Sequence, residues 1–146
     1  VISIPAILDL HLKLLVSKGN VEFVISDGPV VRCNQFAEFH TRFCGQGGTR
    51  GFAVKGIQIF MPISPVLCLV LYDGGTYSCG SPNRFVVYTS KRDCILLNSL
   101  QALHADEFIY KSPTGPKIDE LRRYVKFREQ QLTSFVHNVE LSEEYS

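Results

Sequence analysis

The sequence predicts an α+β domain: one mainly antiparallel sheet of about five to six strands, with N-terminal, late and C-terminal helices. Three observations predict it. Short alternating or continuously apolar segments, rich in β-branched and aromatic residues, recur between Val21 and Tyr110. No helical period separates the middle ones, whereas a doubly wound parallel sheet needs a helix between successive strands. Apolar residues at helical spacing lie at both ends of the chain and after Ser90.

Residues 3–17 have Ile4, Ile7, Leu8, His11, Leu14 and Leu15 at helical spacing, with Ser3 to cap and Pro5 in the first turn, so a helix is expected, ending at Lys18-Gly19-Asn20. Residues 21–26 read as a strand and "VVRCN" as a second one. Asp27-Gly28-Pro29 joins them as a turn, and Pro29, which has no N–H to give a ladder, belongs at a strand start or an edge. Residues 35–55 form a long connection whose centre carries Gly45, Gly47, Gly48 and Gly51.

"GIQIFMPIS" (56–64) alternates Ile57, Ile59, Met61 and Ile63 against Gln58, Phe60 and Pro62. "LCLVLYD" (67–73) is almost continuously apolar, as a central strand would be. Ser64-Pro65 joins the two as an antiparallel hairpin, "TYSCG" reads as a short edge strand and "RFVVYTS" as a further strand. Ser90 then caps a helix whose stripe runs Cys94, Leu97, Leu100 (or Gln101) and Leu103-His104, and "DEFIY" is the last short strand. In the tail, Thr114 or Gly115 caps a long amphipathic helix with Pro116 in its first turn, and Ile118, Leu121, Val125, Leu132, Val136 and Val139 form its stripe.

The 146 residues are read as one domain, 1–146, with 112–146 as the long helix and an acidic end. A formal net charge of +1 argues against a globally basic nucleic-acid binder. Cys33, Cys44, Cys68, Cys79 and Cys94 form no close pair, which speaks against a zinc knuckle or a disulfide framework and for the cytoplasm. No apolar run reaches ~20 residues, so no membrane partner is expected.

The candidate chemistry centres on Ser26-Asp27-Gly28-Pro29. A carboxylate at a strand end suits a general base or a metal ligand, and equally an aspartate that accepts a backbone N–H of its own turn. Asp106 or Glu107, after the helix that ends at His104, would join Asp27 if the two strand ends are adjacent; such a pair holds Mg²⁺ or shares a proton. His104 itself suits the negative end of its helix. Lys55 and Arg50 are the cations available to an anionic ligand, although Ala53 occupies the position where a nuclease Glu-x-Lys pair has its acid. The glycine loop around Arg50 leads into a strand rather than a helix N-terminus, so it is not a phosphate loop. Arg122, Arg123, Lys126 and Arg128 with Tyr124 and Phe127 form a basic, aromatic helix face, diluted by Asp119, Glu120 and Glu129.

Three blocks, "FVISDGPVVRCNQF", "KGIQIFMPISPVLCLVLYD" and "LNSLQALHADEFIY", resemble in order a mainly bacterial family, domain of unknown function 4238, over roughly residues 10 to 110. The resemblance implies Asn where this chain has Gly28 and His104, and an opening signature His-x-x-Pro-x-x-Tyr-Leu-x-x-Phe that the chain lacks. The chain thus resembles the C-terminal half of a longer protein. The family supplies a boundary and no reaction.

Two functional expectations follow. One is a cytoplasmic bacterial interaction or ligand-recognition module, with a protein or small ligand as partner and a second copy able to pair through the C-terminal helix. The other is a metal-dependent hydrolase or nuclease. There Ser26, Asp27 and Glu107 are the catalytic candidates, Asp27 and Asp106 the ligands of a divalent metal such as Mg²⁺, and Lys55, Arg50 and His104 the ligand-binding residues. Nucleic acid through the tail helix is a third, weaker partner.

Overall fold

The structure is a computed structural model and describes residues 9–18, 21–35 and 55–130. The fold is α+β. Its strands are β1 (His11–Ser17), β2 (Ile25–Ser26), β3 (Val31–Cys33), β4 (Gln58–Pro62), β5 (Leu67–Tyr72), β6 (Val86–Thr89) and β7 (Ile109–Tyr110). Helix α1 spans Lys91–His104, and a second helix, α2, runs over 118–130 within the described residues. Five strands form a mixed sheet in the order β3-β4-β5-β1-β6, and β2 and β7 form a two-stranded ribbon. Within the larger sheet only β1 and β6 run parallel.

The β4–β5 hairpin forms as expected, with Ile59 opposite Leu71 and Met61 opposite Leu69. Ser64 closes it by accepting the backbone N–H groups of Val66 and Leu67 on its hydroxyl, at 3.2 and 3.0 Å. Helix α1 also forms as expected. The Ser90 Oγ accepts the Asp93 N–H at 3.1 Å and donates to the Asp93 carboxylate at 2.8 Å, which fixes the first turn.

The N-terminal helix is the main correction. Residues 11–17 are not helical; they form β1, second from the edge of the sheet, paired with β5 on one side and β6 on the other. The expected helix start, residues 3–8, and its expected end at Gly19-Asn20 lie outside the described residues. "HLKLLVS" carries apolar side chains on both strand faces, and a run of that kind satisfies a helical stripe as readily as a strand. Leucine's helical preference is worth only a few tenths of a kcal/mol per residue over β-branched residues such as valine. Two ladders of backbone hydrogen bonds outweigh it.

Further corrections concern pairing. Residues 21–26 do not form a hairpin with 31–33: β2 pairs with β7, and β3 with β4. Asp27–Val30 is therefore a crossing from the ribbon to the sheet. "TYSCG" is not a strand, because Asp73 accepts the N–H groups of Thr76 and Tyr77 and winds the chain into a turn. Gly80 follows at φ +63°, where an added Cβ would come within 2.8 Å of Val87. Helix α2 begins at 118, with the Glu120 carboxylate accepting the Lys117 N–H at 2.8 Å, so the cap lies after Pro116 rather than at Thr114 or Gly115.

Opposed residues share a face, and the two faces of the sheet differ. The inner face carries Leu15, Val31, Cys33, Phe60, Cys68, Val70 and Tyr72, which pack with Cys94, Leu97 and Leu100 of α1 and with Val21 and Phe23. Burial in this layer pushes the Cys68 thiol up to about 12, as expected for an inert core cysteine. Thus β4 turns Gln58, Phe60 and Pro62 toward the helix and Ile59 and Met61 away from it. Lys13 also lies on the inner face, buried, and its ammonium donates to the carbonyls of Ser81, at 2.8 Å, and of Arg84.

The outer face carries Leu12, Leu14, Val16, Ile59, Met61, Leu67, Leu69, Leu71, Val86 and Tyr88. The strand assignment of β1 is testable through this alternation. Leu15→Ala should cost about 2–5 kcal/mol in urea unfolding, whereas Leu12→Ala, half exposed, should cost clearly less. Equal costs at both positions would contradict the register.

Candidate functional site around Asp27

Residues 22–29 run beside α1, and their backbone is bound by side chains rather than by a long ladder. Asn98 accepts the Val24 N–H at 3.0 Å and donates to the Glu22 carbonyl at 2.8 Å. One turn on, Gln101 accepts both the N–H and the hydroxyl of Ser26, at 2.9 and 3.0 Å, and donates to the Pro29 carbonyl at 2.8 Å. Ser26, Asn98 and Gln101 are all buried, where an unpaired polar group is costly.

Asp27, the next residue, is exposed. Its Oδ1 accepts the Asp106 N–H at 2.9 Å, and its Oδ2 accepts those of Glu107 and Phe108 at 2.8 and 3.2 Å. The Asp27 N–H in turn donates to the Phe108 carbonyl at 3.1 Å. The carboxylate therefore caps the chain where it leaves α1, a segment 79 residues away, and not its own turn. Hydrogen bonds from Glu107 and Asp106, against slight desolvation, hold its carboxyl below the ordinary carboxylate value of 3.8. At the other end of the same segment, the Glu22 carboxylate accepts the hydroxyls of Ser112 and Thr114, the latter at 3.0 Å.

The structure thus brings Ser26, Asp27, Asp106 and Glu107 to one place, and it is the backbone of the last two, not their carboxylates, that meets Asp27. His104 ends α1 close by, with its Nδ1 2.9 Å from the Leu100 carbonyl. Gly28 lies against His104: an added Cβ would sit 3.5 Å from the His104 carbonyl oxygen, an ordinary contact, so a side chain fits there.

Lys55 belongs to a different corner. It precedes Gly56, whose N–H donates to the Asp73 carboxylate at 2.9 Å, and Asp73 also accepts the Gly75 N–H at 2.9 Å and the Thr76 hydroxyl at 2.7 Å. Those bonds, Gly56 first, and the nearby Lys55 charge lower the Asp73 carboxyl. Gly56 has φ +84°, the left-handed conformation that suits glycine. Arg50, within the glycine-rich loop, lies outside the described residues. Among the described residues, no three His, Cys, Asp or Glu side chains are placed to hold a metal ion.

Sequence reasoning missed Glu22, Asn98, Gln101 and Lys13 as organising residues. The available signal was two amides, three apart, on a helix stripe otherwise made of Cys94, Leu97 and Leu100.

The class of molecule defined here is an α+β domain with a mixed sheet, one face covered by a helix that grips the Ser-Asp crossing. The chain belongs to the family described as "Protein of unknown function (DUF4238)", whose model matches residues 2–115. No curated protein and no solved structure matches it. Among the described residues, no helix is long and apolar enough to cross a membrane.

Two predictions follow from the geometry. Gln101→Ala leaves the Ser26 N–H, the Ser26 hydroxyl and the Pro29 carbonyl without their partner, and should cost about 3 kcal/mol or more by denaturant unfolding. A loss no larger than that of an exposed substitution would contradict the assigned bonds. For Asp27 the folded carboxyl lies below its unfolded value of 3.8, so its contribution to stability is complete above that pH. It is lost as the pH falls through the folded value. Asp27→Asn should therefore lower stability at neutral pH and flatten the fall below about pH 4, measured by acid unfolding. An unchanged acid limb would contradict the cap.

Proposed function

We propose that this domain is an interaction module that binds the apolar surface of a protein partner through the outer face of its sheet at β1 and β6. The observation that carries the reading is a contiguous apolar strip. Leu14 stands opposite Val86 and Val16 opposite Tyr88, and Leu12, two residues before Leu14, lies on the same face. Leu12, Val86 and Tyr88 remain 46%, 42% and 61% exposed. Clusters of this kind mark contact surfaces, whereas scattered apolar residues do not. Tyr88, of a residue type enriched at protein interfaces, lies at the end of the strip, with the Lys18 ammonium 4.5 Å above its ring.

The use of Asp27 supports the same reading. Both of its carboxylate oxygens are engaged by backbone amides, a structural duty that competes with proton transfer and with metal ligation. The metal-dependent hydrolase remains the alternative, since Asp106 and Glu107 do flank that carboxylate.

One paired experiment separates the two. A photo-reactive benzoylphenylalanine replaces Tyr88 in one protein and Glu107 in another, and Mg²⁺ is titrated into the unmodified chain by calorimetry. The interaction reading expects a discrete protein adduct from position 88 that Val86→Lys abolishes without loss of thermal stability. Adducts from position 107 alone, or saturable Mg²⁺ binding that Asp27→Asn removes together with a phosphodiesterase activity, would overturn it.

A further inference from the structure

We infer that residues 106–115 form a strap that opens and closes as a unit over β2 while the rest of the domain stays folded. The strap joins two anchored points. Before it, α1 ends at His104, capped by Ala105, with Leu100 and Gln101 buried; after it, Pro116 and Leu121 are buried. Between these points no residue is buried, and none belongs to the hydrophobic core. Phe108 and Tyr110 are exposed and lean on one another, ring centroids 6.4 Å apart.

Polar contacts therefore hold the strap to the body. Asp27 takes the amides of its first three residues, a two-residue ladder joins Ile109 and Tyr110 to Ser26 and Ile25, and Glu22 takes the hydroxyls of Ser112 and Thr114. A segment with few buried apolar contacts and exposed hydrogen bonds opens at a lower free energy than the whole domain. Opening exposes little apolar surface, so it costs little hydrophobic stabilisation. It unpairs Ile25 and Ser26 and frees the Asp27 and Glu22 lone pairs that the closed strap occupies. The closed strap thus occupies acceptor positions on both carboxylates, and this holds whatever binds the outer face of the sheet.

The strap carries its own reporters. Chymotrypsin cuts after Phe108 and Tyr110, and trypsin after Lys111. When closing is fast relative to cleavage, the cleavage rate follows the population of the open form. Cleavage at these bonds is compared, by mass spectrometry of the full chain, with cleavage after Tyr72 in the central strand β5. Asp27→Asn and Glu22→Gln should each speed strap cleavage about tenfold, and Tyr72 cleavage by no more than that, whereas Leu15→Ala, which removes packing common to the closed and open strap, should speed Tyr72 cleavage and leave the strap rate unchanged. In the unmodified chain, strap cleavage should be nearly independent of urea below the unfolding transition. Strap and Tyr72 cleavage rising in parallel in Leu15→Ala, a steep urea dependence of strap cleavage, or no strap response to either carboxylate substitution would overturn the inference. Should both variants unfold, the urea dependence of the unmodified chain decides it alone.

Discussion

Between Glu22 and Pro29 the backbone runs beside α1 with only two residues in a ladder, and two side-chain amides on α1 supply the hydrogen bonds the ladder does not. Buried N–H and C=O groups must be paired, and here the pairing fixes more than a loop. Asn98 and Gln101 are three residues apart and so point the same way from the helix. Because they grip 22–29 on that side, Cys94, Leu97 and Leu100 are set down on the inner face of the sheet. The crossing then delivers Val31 into β3 and leaves Asp27 at the surface, facing the chain that emerges from α1.

That arrangement gives the two halves of the family match a physical link. Residues of the Ser-Asp-Gly-Pro block and of the Leu-Asn to Ile-Tyr block meet across more than seventy residues of sequence, through Asn98, Gln101 and Asp27. Ser26, Asp27, Asn98 and Gln101 are thus explained as parts of one clamp. It needs acceptors at fixed positions: an amide at 98, an amide at 101 and a carboxylate at 27. The outer face of the sheet takes no part in it. There the apolar residues of β1, β5 and β6 exceed what a solvent-facing antiparallel sheet requires, since such a sheet ordinarily alternates apolar and polar sides. The clamp and the apolar strip are separate features on different parts of the domain.

Much of the fold was legible in the sequence because its signals are local. The Ile57 to Tyr72 hairpin declares itself through β-branched residues and a short Ser-Pro connection, and α1 through the Ser90 cap three residues before Asp93. What was not legible depended on distant partners. His11–Ser17 has the composition of a helix and becomes a strand only because β5 and β6 flank it. Lys13 reads as the polar side of that helix, yet in the strand it turns inward to the carbonyls of Ser81 and Arg84. At the site, the sequence offered Asp106 and Glu107 as neighbours of Ser26 and Asp27 only if the two strand ends are adjacent, and it did not give the chemistry of their meeting. Whether an aspartate meets a metal, a proton or a backbone amide is decided by the direction in which a segment 79 residues away presents its N–H groups.

The central claim is that side-chain amides, not a strand ladder, protect the backbone of 22–26. Amide hydrogen exchange at Val24 and Ser26, resolved by NMR, tests it most directly. The account predicts that both amides exchange in the slowest class, with that of Val70 in the central strand β5, and that Asn98→Ala accelerates Val24 more than Ser26 while the β4–β5 hairpin still holds. Exchange at Val24 as fast as in the exposed turn at Gly74 and Gly75 would contradict it.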